Sequence, residues 1–386
     1  MKINLISIFF VVFISCVSNQ SDLDLESDNI TTRSNCNMPE SYFVVDSGLA
    51  VGIGERINRF TATSTRYVQQ VKVIKNVISY GGARSSSPSM FIENYQEGGF
   101  SIISADKRIR PILAYSNEGE FSLVDVPSVV LEWMKSVSDV IADFRENNLQ
   151  PDPEVTSMWN SAECPEKPIK SLNCDDPDYT SEIRKGPYLK SEWNQQYPYN
   201  KYCPNQYPVG CAAVAIGQIM RYWEYPRIFN WNNMPYNSGT DDTAHLLAEI
   251  GDSNHLKLKY TSSGSTVRDH RIDNVLRMYG YNSTTREKYN YEDLVAELYA
   301  GRPVILEGKN QVSSGAHSWV CDGIQIFNHV TYSSSLLHMN WGFSKTYYNG
   351  YYQVSNWSYT DPNTGKVIFD YEPNFTHRMV LKIRPQ

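Results

Sequence analysis

Tyr207-Pro-Val-Gly-Cys-Ala-Ala-Val-Ala-Ile-Gly-Gln-Ile-Met-Arg-Tyr-Trp-Glu-Tyr-Pro226 decides how the rest of the chain is read. Pro208 and Gly210 mark a turn. From Cys211 to Trp223 no proline interrupts a run of Ala, Val, Ile, Gln, Met and aromatic residues, which predicts a helix. Ala212, Ala213, Val214, Ala215, Ile216, Ile219 and Met220 leave no clear polar face, so this helix belongs inside a domain. Pro226 disfavours helical geometry just before it and fits an exit there. Cys211 therefore falls at the first turn of a buried helix, where free N–H groups and the helix dipole favour a thiolate over a thiol. A nucleophilic cysteine needs that setting, although a small buried cysteine is also common in cores.

Three further stretches bear on the choice. Gln195 lies upstream in Trp193-Asn-Gln-Gln-Tyr-Pro-Tyr-Asn200, and far downstream come Gly315-Ala-His-Ser-Trp-Val-Cys-Asp-Gly323 and His338-Met-Asn-Trp-Gly342. In this order the four stretches resemble the streptopain family of papain-like cysteine peptidases, which are made as zymogens. The resemblance implies an α+β fold in which a helix bearing the nucleophile packs on an antiparallel sheet bearing the base. It also implies an α+β prodomain ahead of the peptidase domain.

Peptide hydrolysis by such a site needs a thiolate, an imidazole that holds it as an ion pair and later protonates the leaving amine, oxyanion donors, and a group that orients the imidazole. Cys211 takes the first role. His317, flanked by Gly315 and Ala316, takes the second through the match to the family pattern. A lone histidine would otherwise be read as satisfied in a turn. Gln195 is the side-chain oxyanion donor beside the Cys211 N–H; its neighbour Gln196 fits the spacing to Pro198-Tyr-Asn200 less well. For the orienting position Asn340 and Trp341 are adjacent candidates, and the resemblance does not separate them. His245, His255, His270, His329, His338 and His377 are weaker candidates, and Asp322 reads as structural. One region departs from the family: after the Asn-Trp-Gly step comes Phe343-Ser-Lys-Thr-Tyr-Tyr-Asn-Gly350 instead of a glycine-rich loop, which puts substrate preference in doubt.

At 386 residues the chain is long enough for two domains. A net charge of −7 without a basic stripe argues against a nucleic-acid partner. Residues 1–16 combine Lys2 with an apolar run too short for a membrane span, the shape of a secretory signal. The run ends in Phe13-Ile-Ser-Cys16, which looks like a bacterial lipoprotein processing site, so Cys16 is a candidate lipid anchor and the only expected membrane attachment. The expected destination is the outer membrane, the periplasm or the medium. Polar, acidic residues 17–41 read as a flexible tether. Of the seven cysteines, Cys164 and Cys174 could form a disulfide, while Cys36 and Cys203 are left without an assigned partner and Cys321 reads as a buried free thiol. No C-x-x-C pair occurs and the histidines are scattered, so neither a metal nor another cofactor is expected.

Residues 42–150 read as an α+β module. A short helix is expected over 44–60, and strands over 71–80, 90–95, 100–105 and 111–115. An amphipathic helix then carries Val130, Trp133, Met134, Val137, Val140, Ile141 and Phe144 on one face. Gly98 to Ser116, followed by Gly119-Glu-Phe121, resembles the family's propeptide. By that resemblance this half is an intramolecular inhibitor that covers the active site and displaces the catalytic histidine. Residues 151–185, with five prolines and little periodicity, read as an extended processing linker, with Arg184-Lys185 as a plausible end of the prosegment. Residues 186–386 make the peptidase domain, with helices expected over 243–250, 266–278 and 291–300 and strands over 304–307, 318–323, 336–341, 350–354 and 379–383. The expected substrates are proteins or peptides. Acyl transfer to an amine by the same pair, as in transglutaminase-like enzymes, and a catalytically silent binding protein are the alternatives.

Overall fold

The computed structural model describes residues 40–61, 72–81, 87–163, 181–267, 271–309, 316–328, 333–343, 348–354, 357–360, 367–371 and 378–386. The signal segment, the tether, Cys16, Cys36 and the Cys164–Cys174 pair lie outside them, as do His270, His329 and His377.

The first elements are α1 (Glu40–Phe43), α2 (Ser47–Thr61), β1 (Ile74–Tyr80), β2 (Met90–Tyr95), β3 (Phe100–Ser104), β4 (Ile112–Ser116) and α3 (Ser128–Glu146). The four strands form an antiparallel meander. Alternation sorts their side chains. Ile92, Phe100 and Ile102 face α3, whose expected stripe from Val130 to Phe144 is buried along its length. Phe91, Ile103 and Tyr115 pack with Ala50 and Ile53 of α2 on the opposite face. Gly54 lets α2 approach the sheet: a Cβ there would lie 1.5 Å from the Glu93 carboxylate.

The segment expected to be an extended linker holds two regular elements instead, α4 (Pro153–Glu163) and β5 (Ser181–Lys185). Pro153 opens α4 at the position where a missing N–H costs nothing, and Asp152 Oδ1 accepts from Glu154 N at 2.8 Å. Pro153 marks a helix start here.

After these come α5 (Cys211–Trp223), α6 (Asp241–Gly251), the hairpin β6 (Lys259–Thr261) and β7 (Gly264–Thr266), α7 (Ile272–Met278), β8 (Tyr281–Arg286), α8 (Tyr291–Tyr299), β9 (Val304–Lys309), β10 (Ala316–Asn328), β11 (Ser333–Asn340), β12 (Gly350–Tyr352), the hairpin β13 (Trp357–Thr360) and β14 (Val367–Tyr371), and β15 (Arg378–Pro385). The helix expected from residue 266 begins only at Ile272, because Gly264–Thr266 pairs as a strand. β8 was not foreseen; its sequence YNSTTR is polar and gains its order from β15.

One antiparallel sheet runs through both halves in the order β1-β2-β3-β4-β12-β11-β10-β9-β15-β8, with β5 pairing the far end of β10. The seam is β4 against β12, where Tyr115 and Ala114 lie opposite Tyr351 and Tyr352. Pro39–Gln386 accordingly forms one compact unit. In the C-terminal half the register again divides two faces. Val304, Leu306, Trp319, Cys321, Met379 and Leu381 join the core under α3 and α8. Ile305, Val320 and Val380 join the core under α5, α6 and α7. The fold is α+β and papain-like, with the Cys211 helix lying against the sheet.

Candidate active site

Cys211 is the first residue of α5, and the preceding Gly210 has φ 98°. That left-handed backbone favours glycine, and a Cβ there would also sit 3.1 Å from Leu258 and from Ser265. The tight turn aims the sulfur out of the helix end while Ala213 to Met220 stay buried behind it. Cys211 itself is half-buried and a free cysteine. Two residues earlier, Val209 N donates to the Gln195 carbonyl at 3.0 Å, which brings the Gln195 segment beside the turn. Gln196 is exposed.

His317 is the second residue of β10, the strand on which α5 packs. The Ser318 backbone N–H points at the Cys211 sulfur, 3.4 Å away. The His317 ring lies near enough to the same sulfur for the two groups to act on each other's protonation. Its Nε2 lies 3.1 Å from the Trp341 carbonyl oxygen. A carbonyl only accepts, so Nε2 carries a proton and Nδ1 is the atom left for sulfur. Phe343 stacks on the imidazole at a centroid distance of 5.2 Å, with Trp319 at 6.1 Å.

The two groups shift each other's protonation. Burial pushes the Cys211 thiol up, but the charge of His317, its hydrogen bond, and the Ser318 and Ala212 N–H groups outweigh burial and hold the thiol below its ordinary value. Burial likewise pushes His317 down, and the Cys211 charge, the shared hydrogen bond and the Trp341 carbonyl reverse that, so the imidazole is raised. Such a pair can exist as thiolate and imidazolium, a nucleophile beside a proton donor.

The structure separates the two orienting candidates. The Asn340 side chain does not reach the imidazole; it bonds Gln218, the Ser191 carbonyl and the Gly342 N–H. Trp341 makes the contact, through its backbone carbonyl and not its indole. The indole is fully buried, donates to the Tyr348 carbonyl at 3.1 Å, and packs on Trp319 and Tyr352. Asn349 Oδ1 accepts from Trp341 N at 2.9 Å.

Sequence reasoning missed Gln218, Asn349 and the Ser318 N–H. Gln218 carried a usable signal, being a polar side chain inside an apolar helix, which must find a partner. The other described histidines serve locally. His338 bonds buried Asp322 at 2.6 Å, His255 bonds Asp252 at 2.9 Å, and His245 stacks on Tyr202. No group of residues able to hold a metal occurs among the described residues.

The N-terminal half reaches this neighbourhood. The Tyr348 hydroxyl donates towards the Ser122 and Val124 carbonyls, and Trp133 Nε1 donates to the Gln353 carbonyl at 3.0 Å. The expectation that this half displaces the histidine does not match the geometry: with residues 40–163 in place, His317 still contacts Cys211.

Comparison with known proteins places the chain among cysteine peptidases. The model of the peptidase C10 family matches residues 193–228 and 227–352, and that of the Spi protease inhibitor family matches residues 57–141. Streptopain of Streptococcus pyogenes is 26% identical over 338 residues, covering 72% of this chain and 76% of that one. A thiol protease/hemagglutinin of Porphyromonas gingivalis is 23% identical over 309 residues, covering 68% of this chain and 34% of that one. Among solved structures, a prointerpain A fragment of Prevotella intermedia superposes with a TM-score of 0.54 at 22% identity, covering 81% of this chain and all of that one, a likeness of fold. These matches make the chain a streptopain-like, cysteine-type peptidase precursor whose residues 193–352 match the peptidase C10 family.

Proposed function

We propose that the chain is an exported endopeptidase, made as a zymogen, which hydrolyses protein substrates through a Cys211 thiolate and an acyl-enzyme. The observation that carries this reading is the contact of Cys211, at a helix N-terminus, with His317, whose far nitrogen is held by the Trp341 carbonyl. In the proposed cycle the thiolate attacks the scissile carbonyl. The Cys211 N–H and the Gln195 side chain receive the oxyanion, and His317 protonates the departing amine. Water, activated by the then neutral imidazole, releases the acid and restores the pair. Trp341 orients the imidazole by its carbonyl. The match of residues 57–141 to a protease inhibitor supports an inhibitory role for residues 42–150, with 186–386 as the peptidase part and processing between them. Export rests on the signal-like residues 1–16, with Cys16 as the lipid-bearing residue.

The test is Cys211→Ala and wild type, each expressed whole and then activated by limited proteolysis. The variant is expected to be folded and inert towards casein, since removing one sulfur beside alanines leaves only a small cavity. Casein cleavage by Cys211→Ala at the wild-type rate would overturn the assignment.

A further inference from the structure

We propose that the buried amide pair Gln218–Asn340 positions His317 through the Trp341–Gly342 peptide, which makes Gln218 a positioning residue for peptide hydrolysis. The inference rests on the Cys211–His317 reading above. Gln218 lies on α5, two turns beyond Cys211, and is fully buried; Asn340 closes β11 and is 4% exposed. The two amides bond reciprocally, Gln218 Nε2 to Asn340 Oδ1 at 3.1 Å and Asn340 Nδ2 to Gln218 Oε1 at 3.2 Å. Asn340 then spends its second donor on the Ser191 carbonyl at 2.9 Å and its second lone pair on the Gly342 N–H at 3.2 Å. All four of its hydrogen-bonding positions are filled, so it has a single orientation.

The Gly342 N–H and the Trp341 carbonyl belong to one planar peptide group and point in opposite directions. Anchoring the N–H on Asn340 therefore aims the carbonyl, and that carbonyl is the acceptor 3.1 Å from His317 Nε2. The same amide pair grips the three pieces that must stay in register. Gln218 belongs to the nucleophile's helix, Gly342 to the imidazole's acceptor peptide, and Ser191 to the segment that leads to Gln195. A core network with no such role would matter for folding alone.

The experiment measures Cys211 alkylation by iodoacetamide against pH in the full-length chain, read by mass spectrometry on the Cys211 peptide. Wild type, Gln218→Leu, Asn340→Ala, the double variant and His317→Ala are compared. In Gln218→Leu and Asn340→Ala the loosened carbonyl supports the imidazolium less. The limb set by His317 is then expected to move down by about half a pH unit or more. In the activated enzymes kcat is expected to fall about 10–100-fold with KM little changed. The double variant is expected to be no worse than Asn340→Ala, because both substitutions break one unit. Gln218→Met, which keeps the side-chain length, replaces Gln218→Leu should the latter not fold. A wild-type pH profile in the variants, with only a lower urea midpoint, would overturn the inference and leave a purely structural pair. Persistence of low-pH alkylation in His317→Ala would instead overturn the Cys211–His317 reading itself.

Discussion

At the scale of single residues, the proposed site turns on the coupled titration of Cys211 and His317. The thiol is held down and the imidazole up, so the reactive ion pair is lost at both ends of the pH range. Acid protonates the thiolate, and base removes the imidazolium proton. A bell-shaped kcat/KM is expected, its acid limb below the ordinary cysteine range and its alkaline limb above the ordinary histidine range; both limbs belong to the pair. Substituting Asn for His317 should remove the bell and return Cys211 reactivity to that of an ordinary buried thiol. An unchanged bell in that variant would exclude the pair as its origin. Gln195→Ala should lower kcat by about 10²–10³ with KM little affected if its amide receives the oxyanion. A loss confined to KM would make Gln195 a substrate-positioning group instead.

At the scale of elements, the contact of α2 with β2 carries a charge problem. Glu93 is fully buried beneath Gly54; among the described residues only the Ser101 hydroxyl, itself bonded to Tyr95, donates to its Oε2. Burial, against that hydrogen bond and together with the nearby Glu55, pushes its carboxyl up to about 8. Glu307 on β9 is pushed up to about 7, chiefly by burial and in spite of Arg378. A carboxyl raised in the folded state holds its proton more tightly there than when unfolded. Its contribution is therefore whole below about pH 4.5 and is lost as pH rises through the folded value. For Glu93 the loss is on the order of 5 kcal/mol. Glu93→Gln keeps the acceptor for Ser101 without the charge. Urea midpoints measured at pH 6 and pH 9 should lie closer together for Glu93→Gln than for the wild type, the remaining separation being that of Glu307. Equal separation in both would show that Glu93 does not carry the effect. Glu93 also illustrates what a sequence does and does not disclose. Helix α3 could be read directly from its one-sided apolar period, α5 from an unbroken apolar run with no polar face, and β2 to β4 from short apolar runs between turns. The strands β5, with its sequence SEIRK, and β8 could not, because only a distant partner, β10 or β15, makes them strands. That the Cys211 and His317 segments come together could be expected from short motifs. The acceptor for His317 could not, since it is a backbone carbonyl, and no side-chain identity encodes where a carbonyl points.

At the scale of the whole molecule, the joined sheet changes what latency means. The N-terminal half adds β4 to β12, sets Trp133 against Tyr352 and Gln353, and holds Tyr348 through the Ser122 and Val124 carbonyls. Yet the Cys211–His317 contact is already made with that half attached. If the intact chain is latent, it is latent because a protein substrate is kept out, not because the pair is dismantled. Two reactivities should then part company. Iodoacetamide, small enough to enter, should alkylate Cys211 of the intact chain well below the pH at which an ordinary thiol reacts. Casein should be left uncut. Introducing a specific protease site between Glu163 and Ser181 and cutting it should not by itself restore casein hydrolysis at high protein concentration, since the halves remain paired. The connection supplies an effective concentration that can approach the millimolar range, and cutting it removes that advantage. Dilution after the cut should therefore release activity progressively, and adding back the separated N-terminal half should reverse it. Slow alkylation of the intact chain with an ordinary thiol profile would show that the precursor does not keep the pair assembled in solution. Full casein hydrolysis by the intact chain would reduce the N-terminal half to a folding module.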